Sequence, residues 1–240
     1  MRWNILAMAL AGLIASAASA TAAPRAVLEL FTSPFCSSCP PADELFVKLA
    51  QQPDLITLVM PVDSYDRPGR KDALAKPAFS DRQAAYADVR NENMLFTPEA
   101  IVNGAAPADG ADRSEIAQAI AQTQGVLSVP VKATPVGADI QVSVGAGKGA
   151  AATRAVVTVL PYVASREIPM RGGETLHYAN LVRDIIPLGT WNGSPTRHTL
   201  RRDDYAAYDG IVILLQAGTP ERPGAILGAT RIPLHSRSKA

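Results

Sequence analysis

The stretch VLELFTSPFCSSCPPADELF, residues 27–46, holds both cysteines of the 240-residue chain, Cys36 and Cys39. A short β-rich run precedes the cysteines, and a segment with apolar residues at helical spacing follows them. The first turn of that segment is acidic, as is common at the start of a helix. The sequence therefore predicts a strand, a turn that carries two cysteines, and a helix, in that order.

Three chemistries are compatible with two cysteines at this spacing: a redox-active dithiol, an inert local disulfide, or part of a metal site. A bridge within so short a loop restricts the unfolded chain very little, so it would be a poor structural crosslink. A zinc site needs more ligands, and the three histidines, His177, His198 and His235, all lie in the second half. We favour the redox pair, and the other two chemistries stay open.

Residues 24–125 alternate between strand and helix signals. The apolar run at 55–63 is typical of a buried parallel strand. Residues 80–83, Ser-Asp-Arg-Gln, have the pattern of a capping box that opens a helix. Residues 97–104 predict a strand that ends in an Asn-Gly hairpin turn, and Asp112 is the expected N-cap of a last helix. This order indicates a central sheet with helices on its faces.

Residues 126–240 have a different texture, richer in Gly, Pro, Val and Thr and without long amphipathic helices. Short apolar runs separated by turn signals predict several strands. Asn192 and Gly193 form a further expected hairpin turn. The pattern favours a mostly antiparallel, sandwich-like arrangement.

Reaction sites in open α/β sheets gather beyond the carboxyl ends of the strands. The cysteines follow the first predicted strand, and Asp63 ends the second. Asp63 is therefore a candidate proton acceptor when Cys39 attacks a mixed disulfide, although a turn-forming aspartate is the alternative. The basic residues of the following loop, 67–71, are candidates to stabilise a thiolate, or they form an ordinary solvated loop.

A strand, then Cys36-Ser37-Ser38-Cys39, then a helix resembles the thioredoxin superfamily. In that superfamily a proline in cis precedes the next strand and faces the cysteines. The resemblance implies that Pro98, in the dipeptide Thr97-Pro98, plays this part. The alternative is a trans proline that simply starts a strand.

The whole chain resembles a secreted bacterial family of unknown function. The shared motifs are ELFTS-x-x-CSSCPPAD, PVD-x-Y, PAF-x-x-RQ, TP-x-x-IVNG, YANLVRDIIPLGTWNG and ILGATRIPL. This resemblance implies an α/β thioredoxin-like domain at residues 24–125, followed by a mostly antiparallel β-sandwich-like domain at residues 126–240. It implies no substrate.

The cysteine motif departs from the usual thioredoxin pattern. Phe35 stands where tryptophan is usual, and no proline lies between the cysteines. Because two prolines follow them, the helix is expected to begin near Pro41, with Cys36 ahead of it. The helix dipole then helps a Cys36 thiolate less, and Asp43 and Glu44 compete for the positive end.

Residues 1–23 have the pattern of a signal peptide, with a basic residue, an apolar run and small residues at the cleavage site. A periplasmic or secreted protein is therefore expected, and an oxidising compartment permits a disulfide. Loss of Arg2 would lower the 23 basic residues to the number of acidic ones, 22. A chain without net charge has no basic field for nucleic acid or anionic lipid, so nucleic-acid binding is not expected. Because the apolar run is short for a membrane span, no stable membrane insertion is expected after signal cleavage.

The sequence predicts an exported thiol–disulfide oxidoreductase that exchanges the Cys36–Cys39 pair with a protein or a low-molecular-weight thiol or disulfide. Cys36 is expected to attack the substrate, Cys39 to release it, and Pro98 to shape the groove. No cofactor or metal is expected. The alternative is a secreted binding or assembly protein on a thioredoxin-like scaffold, with an inert local disulfide.

Overall fold

The computed structural model describes residues 23–148, 154–170 and 173–235. The signal peptide expected at residues 1–23 lies outside this part of the chain, except for Ala23. None of the helices formed by the described residues is long and apolar enough to span a bilayer.

The elements of the first half are β1 (Ala26–Thr32), α1 (Pro40–Leu49), β2 (Leu55–Pro61), α2 (Pro77–Val89), β3 (Glu99–Val102), β4 (Ala106–Asp109) and α3 (Arg113–Gln122). The strands of the second half are β5 (Val131–Val136), β6 (Asp139–Val144), β7 (Ala155–Pro169), β8 (Thr175–Val182), β9 (Ile186–Trp191), β10 (Thr196–Arg201), β11 (Gly210–Thr219) and β12 (Arg222–Pro233). A 3-10 turn, Arg202–Tyr205, follows β10.

Nine of the described strands form one large mixed sheet in the order β12-β11-β7-β8-β2-β1-β3-β4, with β9 paired to β7 beside this path. The β1–β2 and β2–β8 pairs are parallel, and the other pairs are antiparallel. A second, three-stranded antiparallel sheet has the order β10-β6-β5. Within the described residues the fold is therefore mixed α/β, with three helices and mostly antiparallel strands.

The large sheet continues across the boundary expected at residue 125. Strands β2 and β8 meet in parallel at Val59 and Leu181, and the Asn180 amide donates a 3.0 Å hydrogen bond to the Thr57 hydroxyl. Lys76 and Asp184 form an ion pair across the same junction. The two halves thus share backbone pairing. The division into two domains stays a prediction.

Apolar side chains fill both faces of the large sheet. One cluster joins α1 and α3 to the sheet and includes Phe46 and Ile116. A second cluster packs α2 against the other face through Phe79 and Tyr86. The third lies between the large sheet and the three-stranded sheet, where Trp191 is fully buried. Burial of these faces supplies the main favourable free energy of folding.

Two local signals predicted the backbone correctly. Asn103 and Gly104 have positive φ angles, 51° and 64°, and connect β3 to β4 as a hairpin turn. The Asp112 side chain accepts hydrogen bonds from the backbone N–H groups of Ser114 and Glu115 at the start of α3.

Two other local predictions were wrong. Helix α2 begins at Pro77 after an extended Lys76, so Ser80 lies inside the helix instead of capping it. Proline at the first helical position has no N–H that needs a partner, which moves the start one turn earlier. Asn192 and Gly193 do not form a hairpin, because β9 pairs with β7 whereas β10 pairs with β6.

Candidate disulfide site

The cysteines lie in the turn between β1 and α1 and form a disulfide, with 5.4 Å between their Cα atoms. Cys39 is the N-cap residue, and the helix begins at Pro40, one residue before the expected start. The Cys39 carbonyl accepts hydrogen bonds from the backbone N–H groups of Ala42 and Asp43, at 2.9 and 3.1 Å. These bonds fix the second cysteine to the first turn of α1, and Cys36 lies ahead of the helix.

The two cysteines differ little in exposure. Cys36 is 4% exposed and Cys39 is fully buried. The serines between them, Ser37 and Ser38, are exposed. In the described structure, a reaction partner therefore has little access to either cysteine, and slightly more to Cys36 than to Cys39.

The residue pair Thr97-Pro98 lies against the disulfide and has a cis peptide bond. The Thr97 carbonyl oxygen is 3.6 Å from the Cys36 sulfur. The Ser38 hydroxyl is 3.3 Å from that oxygen and 3.4 Å from the same sulfur. A disulfide sulfur has no proton to donate, so only a reduced Cys36 thiol would donate to the Thr97 carbonyl.

Two side chains of the loop after β2 complete the surroundings. The Tyr65 hydroxyl is 2.9 Å from the Thr97 hydroxyl. The Arg70 guanidinium carbon lies 4.7 Å from the centroid of the Phe35 ring, next to Cys36 in the chain. Arg67 instead donates hydrogen bonds to backbone carbonyls of its own loop. Of the basic residues in this loop, Arg70 is the one with a described contact beside the cysteines.

The hydrogen bonds of Asp63 are formed with Ser80 of α2. Its carboxylate accepts a hydrogen bond from the Ser80 hydroxyl, and its backbone N–H donates to Ser80 Oγ at 3.1 Å. These bonds tie the end of β2 to α2. A part for Asp63 in proton transfer stays a prediction.

Asp43 lies in the first turn of α1, as the sequence predicts, and its side chain is buried, with 2% exposure. Its Oδ1 atom accepts a 2.8 Å hydrogen bond from the Thr32 hydroxyl, and its buried Oδ2 has no partner among the described residues. Burial raises the pKa of Asp43 to about 7, against the lowering effect of the Thr32 bond.

A sequence signal for this burial was present. Asp43 lies four residues after Cys39, and residues at this spacing share one face of a helix. Since Cys39, Ala42 and Phe46 all face the interior, the same stripe contains Asp43. Tyr178 of β8 also lies near, and its pKa is raised by burial and by the Asp43 carboxylate.

Within the described residues, no group of three or more His, Cys, Asp and Glu side chains is arranged to hold a metal ion. His177 is exposed and lies 3.7 Å from the Glu167 carboxylate. His235 approaches a backbone carbonyl of residue 206.

The chain is similar to a protein family and to solved structures. The model of a family described as protein of unknown function (DUF1223) matches residues 27–216. The chain is 31% identical to a protein from Agrobacterium tumefaciens whose X-ray crystal structure was solved by structural genomics. That match covers 92% of this chain and 99% of the other, with a TM-score of 0.81.

A second solved structure, HBP35 of Porphyromonas gingivalis, is similar in fold. The identity is 13%, the TM-score is 0.60, and the match covers 88% of this chain and 75% of that one. At this low identity, the similarity indicates a shared fold and nothing about function. No curated protein sequence matches the chain.

Proposed function

We propose that this chain, which belongs to the DUF1223 family of proteins of unknown function, is an exported thiol–disulfide oxidoreductase. In this proposal, residues 24–125 have a thioredoxin-like arrangement. Its Cys36–Cys39 pair would exchange with a protein or a low-molecular-weight thiol or disulfide. The observation that carries the proposal is the 3.6 Å approach of the Thr97 carbonyl oxygen to the Cys36 sulfur. This contact brings the Thr97-Pro98 segment next to Cys36, the less buried of the two cysteines.

The exchange has two steps. The reduced Cys36 thiolate attacks one sulfur of a client disulfide, whose S–S bond breaks, and one client sulfur leaves as a thiolate. The Cys39 thiolate then attacks the Cys36 sulfur, forms the internal disulfide and releases the second client thiolate. Two electrons pass from the cysteine pair to the client. The same steps in reverse oxidise a client dithiol.

Cys36 is the attacking residue because Cys39 has no exposed surface. Its thiolate would be stabilised by the Ser38 hydroxyl, 3.4 Å from the sulfur. The positive charge of Arg70, stacked on the neighbouring Phe35, adds to this effect.

Asp43 is the better candidate for proton transfer at Cys39. It lies on the same helical face, it is buried, and burial raises the pKa of its carboxyl to about 7. A carboxyl with such a pKa can accept the Cys39 proton as that sulfur attacks and return it in the reverse step. Asp63 remains the other candidate, and the Asp43→Asn and Asp63→Asn variants separate the two.

The decisive experiment is to trap the mixed disulfide. The reduced protein is mixed with oxidised glutathione and with insulin, and the adducts are identified by mass spectrometry. We expect a Cys39→Ser variant to accumulate a mixed disulfide at Cys36, and a Cys36→Ser variant to form none at Cys39 in the folded state. A Ser37→Ala variant, changed at an exposed serine between the cysteines, is the matched control and should exchange like the wild type.

The near burial of both cysteines favours one second candidate, a binding or assembly protein with an inert disulfide. In that case dithiothreitol would open the bridge only after urea has unfolded the chain. Absence of any glutathione adduct on the folded, reduced protein would refute the oxidoreductase and leave this alternative.

A further inference from the structure

A cleft of about 520 Å³ opens between α2 and strands of the second half, apart from the disulfide site. Cavities of roughly 300–1,000 Å³ are the usual size of small-molecule sites. One wall is a stripe of α2, and the other consists of residues from β7, β11 and the start of β9. Neither cysteine nor Thr97-Pro98 lines this cleft.

The lining of the cleft mixes apolar and polar residues, and its apolar part is made of small side chains on the helical side. Alanines 78, 84 and 85 of α2 face Val156 and Ile185. Because alanine fills little space, the helix and the strands do not close on each other here. An apolar body can therefore enter the gap and lose its hydration.

Three carboxylates line the cleft and are exposed: Asp81, Asp88 and Glu221. None of them forms an ion pair with any basic side chain in the described part of the chain. No ion pair neutralises these three negative charges in the described structure, so they give the mouth of the cleft a negative potential.

The one positive side chain of the cleft is already neutralised. Arg82 forms a buried ion pair with Glu29, from Nε to Oε1 at 2.7 Å. Its Nη2 also bonds to Tyr86 and Gln216. Because Glu29 is fully buried beside it, the pair contributes no net charge. The cleft as a whole is negative.

We propose that this cleft binds an organic amine with an apolar body. The ammonium group would meet the carboxylates at the mouth, and the apolar part would lie along the alanine stripe. A single metal ion fits less well, because Asp81 and Asp88 are two helical turns apart, or about 10 Å along the axis. An anionic ligand would face the same carboxylates and be repelled.

The test uses octylamine as the probe and octanoate, with the same chain length and the opposite charge, as the comparison. Binding to the full chain is followed by isothermal titration calorimetry at low salt. We expect saturable binding of octylamine at one site, and at least about tenfold weaker binding of octanoate, as one charge-assisted hydrogen bond would provide.

Two changes locate the site. The exposed pair Asp81→Asn with Asp88→Asn should weaken octylamine binding about tenfold, and Ala84→Leu should weaken it by filling the wall. The matched controls are Glu44→Gln on α1 and Ala117→Leu on α3, both at exposed positions outside the cleft, and they should bind like the wild type.

Thermal midpoints identify any variant that is unfolded. Equal binding of octylamine and octanoate would overturn the proposal, as would unchanged octylamine binding in the folded aspartate double variant. Because no cysteine takes part, these outcomes are independent of disulfide exchange.

Discussion

The Thr32 hydroxyl donates a 2.8 Å hydrogen bond to Oδ1 of Asp43 in the protein interior. The bond joins the last residue of β1 to the first turn of α1, so it braces both ends of the turn that carries the cysteines. Only one carboxylate oxygen is satisfied in this way, since the buried Oδ2 has no partner in the described structure. A charged Asp43 is therefore costly in the folded state.

Asp43 should make the protein less stable as the pH rises. Its carboxyl keeps a proton up to about pH 7 when folded, whereas the ordinary value is 3.8. The folded state therefore binds more protons between these values, and the free energy of unfolding falls as the pH rises from 4 to 8. The share of Asp43 is up to about 4 kcal/mol. In the Asp43→Asn variant this share should vanish, as measured by urea unfolding at each pH.

Asp63→Asn is the comparison for this measurement, because Asp63 is only half-buried. We expect the difference in slope between the two variants to come from the buried carboxyl of Asp43. If Asp43→Asn shows the same slope as the wild type, the buried carboxyl does not titrate in this range.

The buried ion pair Arg82–Glu29 should matter far more to stability than an exposed one. Arg82→Met leaves the fully buried Glu29 carboxylate without its cation, and we expect a loss of about 3–5 kcal/mol. The matched control is Arg25→Met, which removes an ion pair to Asp54 in which both side chains are about half exposed. That change should cost less than about 1 kcal/mol. Urea unfolding measures both, and similar losses would contradict the prediction.

Features set by neighbouring residues could be predicted from the sequence. The strand, cysteine turn and helix around Cys36 depend on local spacing, as do the Asn103-Gly104 turn and the Asp112 cap. The predicted N-cap of α2 was wrong, and the reason is also local. Two start signals overlap there, and Pro77 competes with Ser80.

Features set by distant residues could not be predicted. The shared sheet depends on the pairing of Val59 with Leu181, which are more than a hundred residues apart. Neither apolar run contains a signal that identifies the strand with which it pairs. The proximity of Thr97 to Cys36 was expected only from the resemblance to the thioredoxin superfamily. The spacing of Asp43 from Cys39 places it on the interior face of α1, but nothing in this local pattern indicates that β8 is the strand that covers that face.

Asn103 should be far more sensitive to substitution than Asn91, although both have positive φ angles. The buried Asn103 side chain accepts from the Val27 N–H and donates to the Thr123 hydroxyl, both at 2.8 Å. Asn103→Gly keeps the backbone freedom but removes the side-chain partner of the Val27 N–H, while the Thr123 hydroxyl keeps its bond to the Ala119 carbonyl. The change should cost about 1–3 kcal/mol. Asn91→Gly, at an exposed site, should be nearly neutral. If both variants lower the free energy of unfolding in urea equally, the Asn103 side chain does not stabilise the fold.

Arg70 should raise the reactivity of the reduced Cys36. Its guanidinium lies over the Phe35 ring, at 4.7 Å from the centroid, and Phe35 adjoins Cys36. A positive charge at this position favours the thiolate, which is the reactive form. Arg70→Ala should slow iodoacetamide alkylation of Cys36 at pH 7 about threefold at low salt, and 0.5 M NaCl should reduce the difference because the charge is exposed.

Arg67→Ala is the matched control for this rate, because it removes the same charge from the same loop but from a side chain that bonds to backbone carbonyls of that loop. Cys36 of the Arg67→Ala variant should be alkylated at nearly the wild-type rate. A Cys39→Ser background keeps Cys39 from contributing to the signal. If the two arginine variants slow alkylation equally, the effect comes from the net charge of the loop and not from the stacking of Arg70 on Phe35.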